Sequence, residues 1–328
     1  MRSTRLDLAL DTGAVTLPAT GRIAVMRPRA GDDLSALPAD RVTVVTGFKP
    51  DHDYFAARGH VCVATLEAGF AAALVCLPRA KAEARAMLAT ACAALPEGAP
   101  VIVDGQKTDG VDAVYKELRA RLPVSEALSK AHGKIFAFAA GPQLADWAAG
   151  PRQVVEGFTT APGVFSADGP DRGSALLAAA LPAKFPARVV DLGAGWGYLS
   201  QHILQRAGVK ELHLVEAEKA ALDCARINIT DDRAQFHWAD ATTWQVPHLV
   251  GAVVCNPPFH TGRDADPALG VAFIRAAAKM LAPDGTLWLV ANRHLPYDPT
   301  LRTLFRELEE IGGDGAFKLV RASYPSRR

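Results

Sequence analysis

An asparagine, two prolines and an aromatic residue close an apolar run at positions 253–260, VVCNPPFH. An amino group on a purine or pyrimidine ring is a poor nucleophile because its lone pair is delocalised into the ring. The side-chain oxygen of Asn256 and the main-chain carbonyl of Pro257 can each accept a hydrogen bond from one of the two amino protons, turning the lone pair out of conjugation and towards an electrophile held in line. No strong base is then required. Pro257 and Pro258 restrict the backbone and hold both acceptors in place, while Phe259 offers a ring face for a base swung out of its stack. His260 either contacts the target base or caps the loop. The plain alternative is a proline-rich turn over a buried strand, but its place downstream of a glycine-rich turn favours the chemical reading.

That turn is VVDLGAGWGYLS, residues 189–200, with Gly193, Gly195 and Gly197 at alternate positions after Asp191. Glycines let the backbone turn sharply and lie close against a ligand. A turn of this kind also serves nicotinamide and flavin proteins, where it presents a helix N-terminus to a pyrophosphate. Here Asp191 stands two residues before the first glycine, and a carboxylate there suits the ammonium of a methionine moiety and repels a phosphate. Glu216, at the end of the next strand, can accept both ribose hydroxyls, and Asp240 in HWADATTW can accept from an adenine amino group. With Ala194, Ala217 and Ala241 beside them, these residues outline a site for an adenosine joined to an amino acid at the carboxyl edge of a sheet. S-adenosylmethionine fits that outline, and S-adenosylhomocysteine is then the product.

Strands and helices must alternate to place those residues on one edge. Strands are predicted over 188–192, 211–215, 235–238, 252–255 and 286–290, with helices over 198–207, 220–229 and 269–281, the last stopped by Pro283 and Gly285. The tail reads as a hairpin, 305–311 and 317–322 around GGDG, or as a helix continued to Ile311. This alternation implies a doubly wound, mostly parallel sheet.

The first half repeats the plan. AAALVCLPRAKAEARAMLATACAALPEGAPVIVDGQ overlays GAVVCNPPFH and VAFIRAAAKMLAPDGTLWLVANR as strand, proline turn, alanine-rich helix, stop and strand, with Leu77, Pro78, Arg79 and Ala80 in the places of Asn256 to Phe259. RVTVVTGFKPDHDYF, read as that copy's early strand, lacks the spaced glycines. The expected fold is therefore α/β, two tandem Rossmann-like folds, the first degenerate. The expected division is a degenerate domain over 1–150 with an RNA-docking or structural role, a linker or lid over 151–180, and a donor-binding domain over 181–328.

Composition sets the limits. A chain of 328 residues, 49% hydrophobic, outgrows one comfortable core. Residues 1–150 carry 17 Lys and Arg against 16 Asp and Glu, and the remainder 19 against 19. No global positive field steers a polyanion, so a nucleic acid must be gripped by local patches or by shape. Five cysteines without a CxxC pair read as buried free thiols in a reducing compartment, with no metal site expected. No apolar signal core and no stretch long enough to span a bilayer is present, which places the protein in the cytoplasm with no membrane partner. Trp238, Trp244 and Trp288 read as core, and Arg321, Arg327 and Arg328 as solvated or phosphate-touching.

Taken together, DLGAGWG, Glu216, Asp240 and NPPFH resemble the class I methyltransferases, and among them the ribosomal RNA small-subunit guanine-N2 methyltransferases, over nearly the whole chain. The resemblance implies a degenerate N-terminal methyltransferase-like domain, and a segment similar to PGVFSADGPDRGSALL (162–177) that closes over the donor, making Phe165, Asp171 and Ser174 donor-site neighbours. An ordinary interdomain loop is the other reading of that segment. Histidine after NPPF points to guanine N2. The expected partner is ribosomal RNA or the small subunit, methylated by a monomer. The competing expectations are a DNA base or protein glutamine as acceptor, or a non-catalytic RNA-binding assembly factor.

Overall fold

The computed structural model of the chain describes residues 2–154, 157–258, 260, 261, 264, 265 and 267–326, which fall into two compact units, Met1–Gly150 and Pro151–Arg328. In the first unit, strands β1 (Ile23–Met26), β2 (Val42–Val45), β3 (Val61–Val63), β4 (Ala72–Cys76), β5 (Pro100–Gln106), β6 (Leu128–Lys130) and β7 (Gly133–Ala139) form a sheet in the order β3-β2-β1-β4-β5-β7-β6. The pairings among β1 to β5 are parallel, and β7 is antiparallel to both β5 and β6. β1, β2 and β4 are buried at every position, as expected of unbroken apolar runs covered on both faces. The covering helices are α1 (Arg2–Asp11), α2 (Lys49–Ala56), α3 (Lys81–Ala94) and α4 (Val111–Arg119).

The second unit opens with a short hairpin, β8 (Arg152–Gln153) and β9 (Thr159–Thr160), and helix α5 (Arg172–Ala180). There follow β10 (Arg188–Leu192), α6 (Tyr198–Leu204), β11 (Glu211–Glu216), α7 (Lys219–Asn228), β12 (Ala234–Trp238) and β13 (Val250–Cys255). After a two-residue ladder between β14 (His260–Thr261) and β15 (Asp264–Ala265) come α8 (Pro267–Met280), β16 (Leu281–Asn292), α9 (Asp298–Leu304), β17 (Phe305–Gly313) and β18 (Phe317–Pro325). The sheet runs β12-β11-β10-β13-β16-β18-β17. α5 belongs to this unit's core, where Leu177 and Ala178 share a buried cluster with Val189, Leu199 and Ile203.

Two sequence expectations are settled by the pairing. β17 and β18 form the hairpin, with Glu309 opposite Arg321, so the helix does not continue to Ile311. FRELEEI is rich in helix formers, and the open edge of β18 overrides that propensity. α6 stops at Leu204 rather than near Ala207, because the Ala207 N–H donates to the Ala183 carbonyl, the Ala207 carbonyl accepts from Phe185 N–H, and Gly208 turns at φ +91°. None of the five cysteines forms a disulfide; Cys76, Cys224 and Cys255 are buried while Cys62 and Cys92 are only half-buried.

The two sheets share one strand order, position for position, as duplication requires. Their registers correct two details of the sequence overlay. Met26 pairs with Val45 and Leu192 with Val215, and the next N–H, of Arg27 or Gly193, donates to that same valine carbonyl. β1 is thus the counterpart of β10, and the 41–55 segment instead holds the counterpart of β11. Met26 also pairs with Val75 where Leu192 pairs with Cys255, so Cys76, not Leu77, occupies the place of Asn256. Val25, Arg27 and Thr46 then stand for Asp191, Gly193 and Glu216. Arg27 adopts a positive φ of 55° where the second unit has a glycine at +79°.

The first unit's strongest polar tie is a fully buried ion pair between Arg5 of α1 and Asp104 of β5, with Nε and Nη2 donating to the two carboxylate oxygens at 2.7 and 3.0 Å. Asp104→Ala would strand a buried guanidinium and is expected to destabilise this unit by about 3–5 kcal/mol. Urea unfolding of the full chain should show an earlier transition; an unchanged profile would mean that α1 does not depend on the pair.

Candidate active site

The chain crosses from one side of β10 to the other between β12 and β13, which puts the carboxyl ends of β10 and β13 side by side, Leu192 against Cys255. Such a switch point leaves a crevice for a ligand. A cleft lies there, lined by the 193–196 turn, Tyr198, Leu199, Asn256 and, from the segment before and into α5, Phe165, Ser166, Asp171 and Ser174. Among the described lining residues Asp171 alone carries a charge and none is cationic. A pyrophosphate would meet no counter-charge in it, whereas a cationic ligand would.

The glycine turn is held by backbone bonds, since the N–H groups of Gly193 and Ala194 both donate to the Val215 carbonyl. Gly195 adopts φ +56°, and a Cβ there would meet no atom within 4 Å. The space beside it is the cleft that it lines, so the protein leaves room where a ligand would lie against bare backbone. Gly197 is used differently: a Cβ would come within 3.1 Å of Ile229, so its role is packing against α7.

Asp191 is fully buried beneath this turn rather than on the cleft wall. Oδ2 accepts from the Ser200 hydroxyl at 2.6 Å, and Oδ1 has no hydrogen-bond partner among the described residues. Burial pushes its pKa up to about 7, and the neighbouring Glu216 carboxylate adds to the shift against the Ser200 hydrogen bond. The sequence reading put Asp191 against a donor ammonium; the packing seen here places its carboxylate out of contact with the cleft. Glu216 accepts from Gly195 N–H at 2.8 Å and Glu218 N–H at 2.7 Å, tying the end of β11 to the glycine turn. Burial raises its pKa despite those bonds. A carboxylate offers roughly four lone-pair sites, so Glu216 keeps capacity for a hydroxyl.

Asn256 follows β13 directly. Its Nδ2 donates to Asp171 Oδ2 at 3.0 Å and to Ser174 Oγ at 2.8 Å, across 85 and 82 residues of sequence. The same Asp171 oxygen accepts from Ser174 N–H and caps α5. A carboxylate only accepts, so the amide end facing it must be the NH₂, and the Asn256 oxygen is left as the acceptor end. Pro257 is buried and Pro258 exposed. Phe259 lies outside the described residues, as do Arg327 and Arg328, and of His260 only the backbone is described, in β14.

The structure thus brings Phe165, Asp171, Ser174, Gly193, Ala194, Gly195 and Asn256 to one cleft, with Glu216 one hydrogen bond away. It does not bring Asp240, Ala217 or Ala241 to the lining. Asp240 accepts from Thr242 N–H and Oγ, Ala217 carbonyl accepts from Trp238 Nε1, and Ala241 is buried in the core. Trp244 and Trp288 pack against core clusters as read.

Sequence reading missed Ser200, Trp196 and Asn228. Trp196 is buried against Phe158, Ala161 and Val164, and its Nε1 donates to Phe165 carbonyl at 2.9 Å. Asn228 accepts from Thr159 N–H and donates to the Thr159 and Trp196 carbonyls. Together they fasten the 158–165 segment to the glycine turn and leave the Phe165 ring 59% exposed. A tryptophan inside a glycine turn was the available signal, since so large a ring has no place there without a partner segment. Among the described residues no group of three or more His, Cys, Asp or Glu side chains could hold a metal, and no helix is long and apolar enough to cross a membrane.

A seven-stranded sheet of this order, with a glycine turn beneath an anionic cleft and NPP at the adjacent strand end, defines a class I S-adenosylmethionine-dependent methyltransferase. Residues 156–321 match the methyltransferase small domain and 42–147 its N-terminal companion domain. The chain is 30% identical over 295 residues to a ribosomal RNA small subunit methyltransferase C from Aeromonas hydrophila, covering 84% of this chain and 86% of that one. It is 29% identical to the protein of that description from Sodalis glossinidius, covering 82% and 79%. A 16S rRNA N2 methyltransferase from T. thermophilus, solved with AdoMet and guanosine, superposes with a TM-score of 0.80 at 23% identity, over 98% of this chain and 91% of that one. The chain belongs to the methyltransferase small domain family and, within it, to the ribosomal RNA small subunit methyltransferase C family.

A pH dependence follows from Asp191. Its folded pKa of about 7 lies above its ordinary value, so the folded state binds the extra proton. Its contribution to stability is present below the ordinary carboxylate range and is lost as pH rises to about 7. Asp191→Asn keeps an acceptor for Ser200 and removes the charge. The variant's thermal midpoint, measured without ligand, should gain on the parent between pH 5 and 8; parallel profiles would show that Asp191 stays ionised throughout.

Proposed function

We propose that this chain transfers the methyl group of S-adenosylmethionine to the exocyclic N2 of a guanine in small-subunit ribosomal RNA, in the cytoplasm, leaving S-adenosylhomocysteine. The observation that carries the reading is the Asn256 amide, whose hydrogens are committed to Asp171 and Ser174, so that its oxygen serves as an acceptor beside the cleft. The relatives described as small-subunit RNA methyltransferases supply the acceptor class.

The donor, when bound, supplies a methyl group on a sulfonium that is its own leaving group. The orphaned Asp191 oxygen, the open space at Gly195 and the anionic lining fit such a cation. Glu216 would hold the ribose hydroxyls with its spare lone pairs, and Asp240 the adenine amino group. Asn256 Oδ1 and the Pro257 carbonyl accept one N2 proton each, which directs the nitrogen lone pair out of the ring plane. Phe259 would stack on the flipped guanine and His260 contact it or close the loop. The first unit, with Val25, Arg27, Thr46 and Cys76 where the second has its site residues, serves RNA docking or structural support and not catalysis.

Asn256→Ala is expected to bind S-adenosylmethionine as the parent does and to lose about 10²- to 10³-fold in turnover, the worth of one preorganised acceptor. Labelled donor with small subunits or naked ribosomal RNA, followed by digestion to nucleosides, should place the label in N2-methylguanosine. Label that survives nuclease and yields to protease would overturn the acceptor assignment.

A further inference from the structure

We propose that Asp171 and Ser174 are positioning residues for the transfer, setting the orientation of the Asn256 amide. This rests on Asn256 being the acceptor that aligns N2. Asn256 sits on the turn after β13, while Asp171 and Ser174 open α5, and both Nδ2 hydrogens are spent on this pair, at 3.0 and 2.8 Å. An unrestrained carboxamide can turn over and present its NH₂ to a substrate amino group, which would put donor against donor. Asp171 accepts and cannot donate, so it forbids that rotamer. Ser174 is buried, which shields its bond from water. Asp171 is fixed in turn, because the same Oδ2 caps α5 through Ser174 N–H at 2.9 Å. The first turn of α5 is thus a rigid jig for an amide more than 80 residues away in sequence.

The pair's bonds to one another also separate positioning from mere support. Ser174→Ala removes the hydroxyl and leaves the N–H that the cap uses, and alanine is at least as good a helix former. It is expected to lower kcat about fivefold, the worth of one net hydrogen bond, with KM for S-adenosylmethionine unchanged. Asp171→Ala should lower kcat further, and Ser174→Ala with Asp171→Ala about 30-fold. Asp171→Asn keeps one oxygen that both N–H groups can share and caps a helix as well as aspartate, so it should restore most of the activity lost in Asp171→Ala.

The deciding experiment is a double-mutant cycle on the full chain, with kcat, donor affinity and thermal midpoint measured for each variant. In an Asn256→Ala background, Ser174→Ala and Asp171→Ala should have no further effect on kcat. Equal losses in both backgrounds, or Asp171→Asn no better than Asp171→Ala, would overturn the positioning role. If Asn256→Ala itself turns over at the parent rate, the acceptor reading fails first; if it is impaired while both α5 variants match the parent, the positioning proposal alone fails.

Discussion

A carboxamide presents a donor end and an acceptor end of nearly the same shape, so the end that faces a substrate is decided by what holds the other. In this chain an acidic helix cap and a buried serine hold the NH₂ of Asn256. That constraint determines why the unit is arranged as it is. The asparagine must follow β13 at the sheet edge, and α5 must be packed firmly enough for its first turn to serve as a reference point. Leu177 and Ala178, buried against Val189 and Ile203, do that packing. A loose linker in place of α5 would leave the amide free to turn.

The donor side depends on the same edge. Glycines with positive φ at 193 and 195 bring bare backbone to the cleft, and Glu216 binds that turn to the neighbouring strand. Asp191 below carries a carboxyl group that burial keeps near neutrality in the free protein. Binding of a cation above it would favour the ionised form, so the cost of burying that acid is offset only in the occupied state. Trp196 and Asn228 add the third wall by fastening the 158–165 segment to the turn.

Much of this was legible in the residues. The parallel strands of the second unit showed as short, mainly apolar segments alternating with helices, and the glycine turn and NPP motif marked the ends of β10 and β13 because such backbone demands leave few residue choices. The duplication was visible too, though its register was not. The overlay by element order ran one residue out, since strand pairing sets the correspondence. The true partner of β10, IAVM before Arg27, was hidden because no glycine follows it. FRELEEI was ambiguous for a different reason: its helical propensity is real, and only the pairing edge supplied by β18 decides against it. The contacts of Asn228 and Ser174 join segments 69 and 82 residues apart in sequence, and a lone serine or asparagine gives no local sign of its partner.

The central claim is geometric and is tested most directly by a crystal structure of the full chain with S-adenosylhomocysteine and guanosine. The account predicts the guanine N2 within about 3 Å of the Asn256 side-chain oxygen, with Asn256 Nδ2 still on Asp171 and Ser174 and the homocysteine moiety over Gly195. Guanosine held elsewhere, or N2 facing the carboxamide nitrogen after Asn256 has left Asp171, would contradict it.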